Sequence, residues 1–233
     1  MIQFIFRYLT FQSTTEELNQ LDRKHLIVGL IGVWIVGIGR YWDHPSASVA
    51  QYLGLGSVIY VFCLALVFWI IIKPLRVPQC TYINLLSLIC LTSFPAILYA
   101  IPVERFTSIS TAISLNVWFL AIVALWRVSL MFVYVRRAYQ VSYWLCILIL
   151  LLPIMGIVAS LLILNLEQAV FEIMGGLRES EPEQTSNDGA YAVVFLLAAL
   201  SYMGFIPILI CYLITMVFRW QDRESVFKKD KIT

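Results

Sequence analysis

Charge is scarce in this chain of 233 residues: 13% are Asp, Glu, Lys or Arg, against 61% apolar. With a mean hydropathy of +0.86, that balance lies outside the range of soluble domains and leaves no room for a separate soluble one. Histidine is scarcer still, at two residues. The five cysteines, Cys63, Cys80, Cys90, Cys146 and Cys211, have no metal-ligand spacing, and four of them fall in apolar blocks, so they read as free packed thiols. No phosphate-cradling glycine loop, HExxH, GxSxG or CxxC occurs, which excludes coupling by a nucleotide bound to this chain and the commonest hydrolase signatures. No apolar block is regularly studded with arginine, so voltage sensing is not expected. A small-residue cleavage site is absent near the start, where Gln3 and Arg7 interrupt the first apolar patch, and no removal of a leader is expected.

Six long apolar blocks are present instead, separated by short polar segments whose Lys and Arg content alternates. Twelve of the sixteen basic residues lie in every second segment: Arg7, Arg23 and Lys24; Lys73 and Arg76; Arg136 and Arg137; Arg219, Arg223, Lys228, Lys229 and Lys231. The intervening segments hold Arg40, Arg105 and Arg178. Short basic loops are retained in the cytoplasm, so the expected fold is an all-α polytopic membrane protein, a six-helix bundle with both ends inside. A charge-sorted bundle of this kind is not a nucleic-acid binder.

The expected spans are 25–41, 50–72, 82–101, 113–135, 142–164 and 190–218, each set against the roughly 20 helical residues that a hydrocarbon core requires. Residues 1–24 form a cytoplasmic N-terminus whose first part, apolar around Arg7, suits an amphipathic interfacial helix. Ser13 with Glu16, and Thr14 with Glu17, have capping-box spacing, so a second helix is expected to start there and run on into the first span. An acidic external loop is expected over 165–189, and a basic cytoplasmic tail over 219–233. Glycines 29, 32, 37 and 39, and Gly156 with Ser160, read as close helix-packing positions.

Three features carry candidate chemistry. Arg127 falls near the middle of the fourth span, where a charge costs at least ~2.5 kcal/mol and must snorkel, find a partner or line water. With no acid at that depth, Asn84, Ser87, Thr92, Ser93 and Ser129 are its candidate neighbours, and an anion or lipid headgroup is its candidate ligand. Secondly, Arg40, Asp43 and His44 after the first span, and Glu104 and Arg105 after the third, are expected to meet on the outer face as a substrate or lipid site; Asp, His and Glu are also the types a hydrolytic site would use. Thirdly, Pro95, Pro153 and Pro207 lie inside spans and are expected to kink them. Pro95 and Pro207 share flanking residues, as an inverted repeat would give, but proline is common in membrane helices and coincidence is the preferred account.

The function that fits is a non-enzymatic accessory, scaffold or assembly protein of a bacterial inner membrane. Its partners would be the lipid bilayer and other membrane proteins or further copies of itself, with no metal or cofactor. A small secondary transporter or channel built on Arg127 and the prolines comes second, and a membrane-embedded enzyme using the outer Asp, His and Glu third.

Overall fold

A computed structural model of the chain describes residues 1–42, 48–77, 80–164 and 188–229. Among them the fold is wholly helical, with no strand. Five helical stretches are long and apolar enough to cross a bilayer, Leu55–Leu75, Tyr82–Ala100, Ser114–Tyr139, Tyr143–Ser160 and Phe195–Gln221, which marks an integral membrane protein.

The N-terminal region folds in three pieces. Helix α1 (Ile2–Leu9) ends where Phe11 turns into the left-handed region at φ 63°. Helix α2 (Thr15–Asn19) starts on a capping box between Thr14 and Glu17, as the spacing predicts, but it does not run on into the next helix. A new cap stops it: the Asp22 carboxylate accepts the amides of Lys24 at 2.9 Å and His25 at 3.2 Å and opens α3 (Arg23–Gly39). Those hydrogen bonds, the His25 amide foremost, hold the Asp22 carboxyl below the usual carboxylate range.

The second apolar block is also broken. A short α4 (Val49–Tyr52) is separated from α5 (Leu55–Ile72) by Gly54 at φ +65°. A Cβ on Gly54 would lie 2.8 Å from the Trp34 carbonyl oxygen, so the turn needs glycine both for its backbone angle and for its approach to α3. The third block is α-helical only as α6 (Tyr82–Leu91) and continues as a 3-10 helix over Phe94–Ala100. Then come α7 (Ile109–Tyr139), α8 (Tyr143–Ile163) and α9 (Asp188–Lys229). At 42 residues, α9 is about 63 Å long and projects well beyond a hydrocarbon core. The acidic segment 165–187 lies outside the described residues.

Helix α6 is the axis of the bundle, and every residue from 84 to 91 is buried. It packs against α3, α5 and α7, while α8 joins α5 and α7 and carries α9 along its far side. Glycine sets the closest approaches. A Cβ on Gly29 would meet Cys90 Cβ at 2.7 Å, one on Gly39 would meet Ala100 Cβ at 2.8 Å, and Gly156 seats the ring of Phe205.

Helix α1 docks on the bundle through Tyr8, its one buried residue, while Ile2 and Phe6 stay exposed. Tyr8 is fully buried, its ring stacks on Tyr134 at 4.1 Å, and its hydroxyl donates to the Leu88 carbonyl at 2.9 Å. In return the bundle donates to main-chain oxygens of the N-terminal segment: Tyr134 to Tyr8, Trp126 to Leu9, Arg137 to Phe11 and Ser13, and Asn84 to Leu18. Tyr139 completes the set by donating to Asn84 Oδ1 at 2.9 Å.

Helix α7 ends at Gln140, an exposed residue held at φ 48°. Left-handed backbone costs a non-glycine residue about 1–2 kcal/mol, and nothing buried is lost by trimming this side chain. Gln140→Gly is therefore expected to stabilise the protein by about 1 kcal/mol, seen as a rise in its thermal unfolding midpoint in detergent.

Candidate functional site

The two ends of the bundle are chemically distinct. One gathers Arg7, Lys73, Arg76, Arg136 and Arg137, and is called the basic end below. There the cations lie over aromatic faces: Lys73 over Trp69 at 4.1 Å, Arg76 over Trp220 at 4.3 Å and Arg136 over Tyr143 at 3.7 Å. Arg7 pairs with Glu17 at 2.8 Å.

At the opposite end, Trp42 joins the segments that follow α3 and the 3-10 helix Phe94–Ala100, since its indole donates to the Ala100 carbonyl at 3.1 Å and Arg105 lies over its ring at 4.7 Å. Arg40 sits over Tyr41 and Tyr99, at 5.5 and 5.7 Å. The structure thus brings Arg40 and Arg105 onto neighbouring aromatic rings. Asp43 and His44 lie outside the described residues, as does the side chain of Glu104. Among the described residues, no group of three or more His, Cys, Asp or Glu could hold a metal ion.

Arg127 lies near the centre of Ser114–Tyr139, nine residues before Arg136 and so about 14 Å along the helix from the basic end. The half-buried guanidinium reaches the turn between α6 and the 3-10 helix Phe94–Ala100 and donates to Ser93 Oγ at 3.3 Å. Of the neighbours expected from sequence, Ser93 is the one it meets. Asn84 and Ser87 turn elsewhere, and the Thr92 hydroxyl donates to the Ile89 carbonyl at 2.7 Å. No carboxylate among the described residues lies within ion-pairing distance of Arg127.

The same guanidinium lines a cleft of about 200 Å³ between α5, α6, α7 and α8. Phe68, Ile89, Thr92, Met131 and Leu150 make its floor and are each no more than 7% exposed. Tyr60, Val128 and Ile157 make its rim, at 42–48% exposed. On α5 and α8 the floor residues lie nearer the basic end and the rim residues farther from it. The cleft is therefore closed toward the basic end and opens sideways toward the other half of the membrane. Arg127 is the one charged residue among those lining it.

The prolines behave differently from one another. Pro153 stays within continuous α8, where it lines the cleft, and Pro207 stays within continuous α9. Pro95 sits in the 3-10 helix that replaces the second half of its span. The third and sixth spans therefore differ in backbone form at the two matched prolines.

Sequence reasoning reached Arg127 but missed the cleft around it. Tyr60, Met131 and Ile157 are ordinary apolar-span residues, and only the crossing of four helices brings them together. Against protein-family models, curated proteins and solved structures, the chain gives no match.

Proposed function

We propose that the chain crosses a bacterial inner membrane six times, with both termini in the cytoplasm, and serves as a non-enzymatic accessory or scaffold protein that holds lipid or a membrane partner at the Arg127 cleft. The sorting of basic residues to one end supports this orientation. Helix α3, at 17 residues, is the sixth span: it reaches about 25 Å, and Tyr41, Trp42 and Arg40 beyond it suit the interfacial layer. The acidic segment 165–189 then lies outside, and the tail 219–233 lies against anionic lipid within.

One observation carries the binding role. A guanidinium at mid-span is expensive in hydrocarbon, and this one is spent on a cleft wall, with a single neutral serine as its side-chain partner among the described residues. Arginine held this way is a standing donor for an anionic group. The test is copurification in mild detergent with cross-linking, comparing the native chain with Arg127→Ala. The native chain is expected to retain a bound lipid or partner, and Arg127→Ala to lose it roughly tenfold or more, the scale of one charge-assisted hydrogen bond. A native chain that purifies empty and partnerless overturns the reading.

A second reading, a small secondary transporter or channel, draws support from the one-sided opening of the cleft and from the 3-10 segment at Pro95 beside it. Anion flux through proteoliposomes that is lost in Arg127→Ala would favour it.

A further inference from the structure

Resting on the binding role just given, we infer that the cleft takes a single-chain amphiphile with one carboxylate, a long-chain fatty acid, entering sideways from the half of the bilayer away from the basic end. The polarity of the site sets the sign and type of the head. Thr92 gives its hydroxyl proton to the Ile89 carbonyl, and Ser93 Oγ lies 3.3 Å from that same oxygen while accepting from Arg127. Apart from the Tyr60 hydroxyl at the rim, the donors left for a ligand are the other N–H groups of Arg127, which call for a ligand that accepts hydrogen bonds. A single negative charge balances the guanidinium, whereas a second would be buried uncompensated among Phe68, Ile89, Met131 and Leu150.

Size and access set the rest of the molecule. The cleft holds about 200 Å³, below the roughly 300–1,000 Å³ of sites that enclose a drug-sized ligand. It fits a carboxylate and the first part of one chain, and not a glycerol phosphodiester head with two chains attached. The remainder of the chain leaves between Tyr60, Val128 and Ile157, a rim that is apolar but for the Tyr60 hydroxyl and exposed where lipid lies. A free soluble anion would have to shed its water against those same side chains.

The test uses the full chain in proteoliposomes of zwitterionic lipid, with a photoactivatable long-chain fatty acid as probe. Labelling is expected on peptides of α5 to α8, competed by unlabelled fatty acid and not by its methyl ester, by phosphatidylglycerol or by inorganic phosphate. Arg127→Ala should lower labelling roughly tenfold, with Arg127→Lys intermediate. Ile157→Trp fills the rim without touching the guanidinium, so it reads the entrance even where an Arg127 variant fails to fold, and it should lower labelling as strongly. The inference is overturned if the methyl ester competes as well as the acid, if folded Arg127→Ala or Ile157→Trp labels like the native chain, or if phosphatidylglycerol is the better competitor. In that last case the carboxylate class fails while a lipid-holding role stands; a native chain that retains neither probe nor endogenous molecule ends both.

Discussion

Tyr8→Ala is expected to destabilise the folded bundle by about 3–5 kcal/mol, the range for removing a fully buried aromatic side chain. The ring has no exposed surface and stacks on Tyr134 at 4.1 Å, and its hydroxyl is bonded to Leu88 of the central helix. Loss of the ring opens a cavity under α6 and α7 and loosens the placement of the Tyr8 carbonyl that Tyr134 caps. Tyr8→Phe separates the two contributions. It keeps the stacked ring and removes one hydrogen bond, so about 1 kcal/mol is expected; Leu88 O still accepts the Thr92 amide at 3.1 Å. Unfolding in detergent, followed by tryptophan fluorescence, reads both variants. A Tyr8→Ala midpoint equal to that of the native chain would make α1 an appendage and not part of the core.

The anchoring of α1 also marks the limit of what the sequence discloses. Apolar blocks, their approximate ends and the midplane position of Arg127 follow from composition and helical reach, because they depend on residues close together in the chain. Docking of 1–20 does not. Its partners are 126 residues away for Tyr8 with Tyr134 and 66 for Leu18 with Asn84, and the groups recognised on the N-terminal side are main-chain oxygens, which every residue carries. An apolar octapeptide around one arginine has the same pattern whether it floats in the headgroup layer or is pinned by Trp126 and Arg137.

Proline shows the same limit from the other side. The runs around Pro95 and Pro207 look alike in sequence, yet one span turns 3-10 and the other continues as α-helix. Proline removes one amide donor in either case. What differs is the surroundings. Before Pro95, the hydroxyls of Thr92 and Ser93 both take the Ile89 carbonyl, and the chain is pressed against α3 and α7. Pro207 lies in a helix that rests mainly on α8, so little forces a change of form. The cleft shares this dependence, since its floor draws on α6 just ahead of the break and its rim on helices that do not break at all.

The glycines of α3 were legible as packing positions, and they carry the second large expected effect. Gly29→Val should destabilise the bundle by about 3 kcal/mol, the upper part of the range for overpacking a core. Even the first carbon of the new side chain would stand 2.7 Å from Cys90 Cβ, with the α6 backbone behind it at 3.6 Å. Neither can swing aside, because Cys90 belongs to the fully buried stretch of α6. Gly32 provides the contrast. Its added Cβ would meet the Phe94 ring at 2.6 Å, and a ring can turn about its own bonds, so Gly32→Ala should cost less than Gly29→Ala. At Gly56 nothing lies within 4 Å, and Gly56→Ala within α5 should stabilise by about 1 kcal/mol through helix propensity. Combining Gly29→Ala with Cys90→Gly moves the missing carbon from one helix to the other, and is expected to recover part of the loss as a favourable coupling in a double-mutant cycle. If the two losses simply add, the contact between α3 and α6 is not what Gly29 serves. If Gly29→Val unfolds with the native midpoint, the two helices do not approach as closely as 2.7 Å requires.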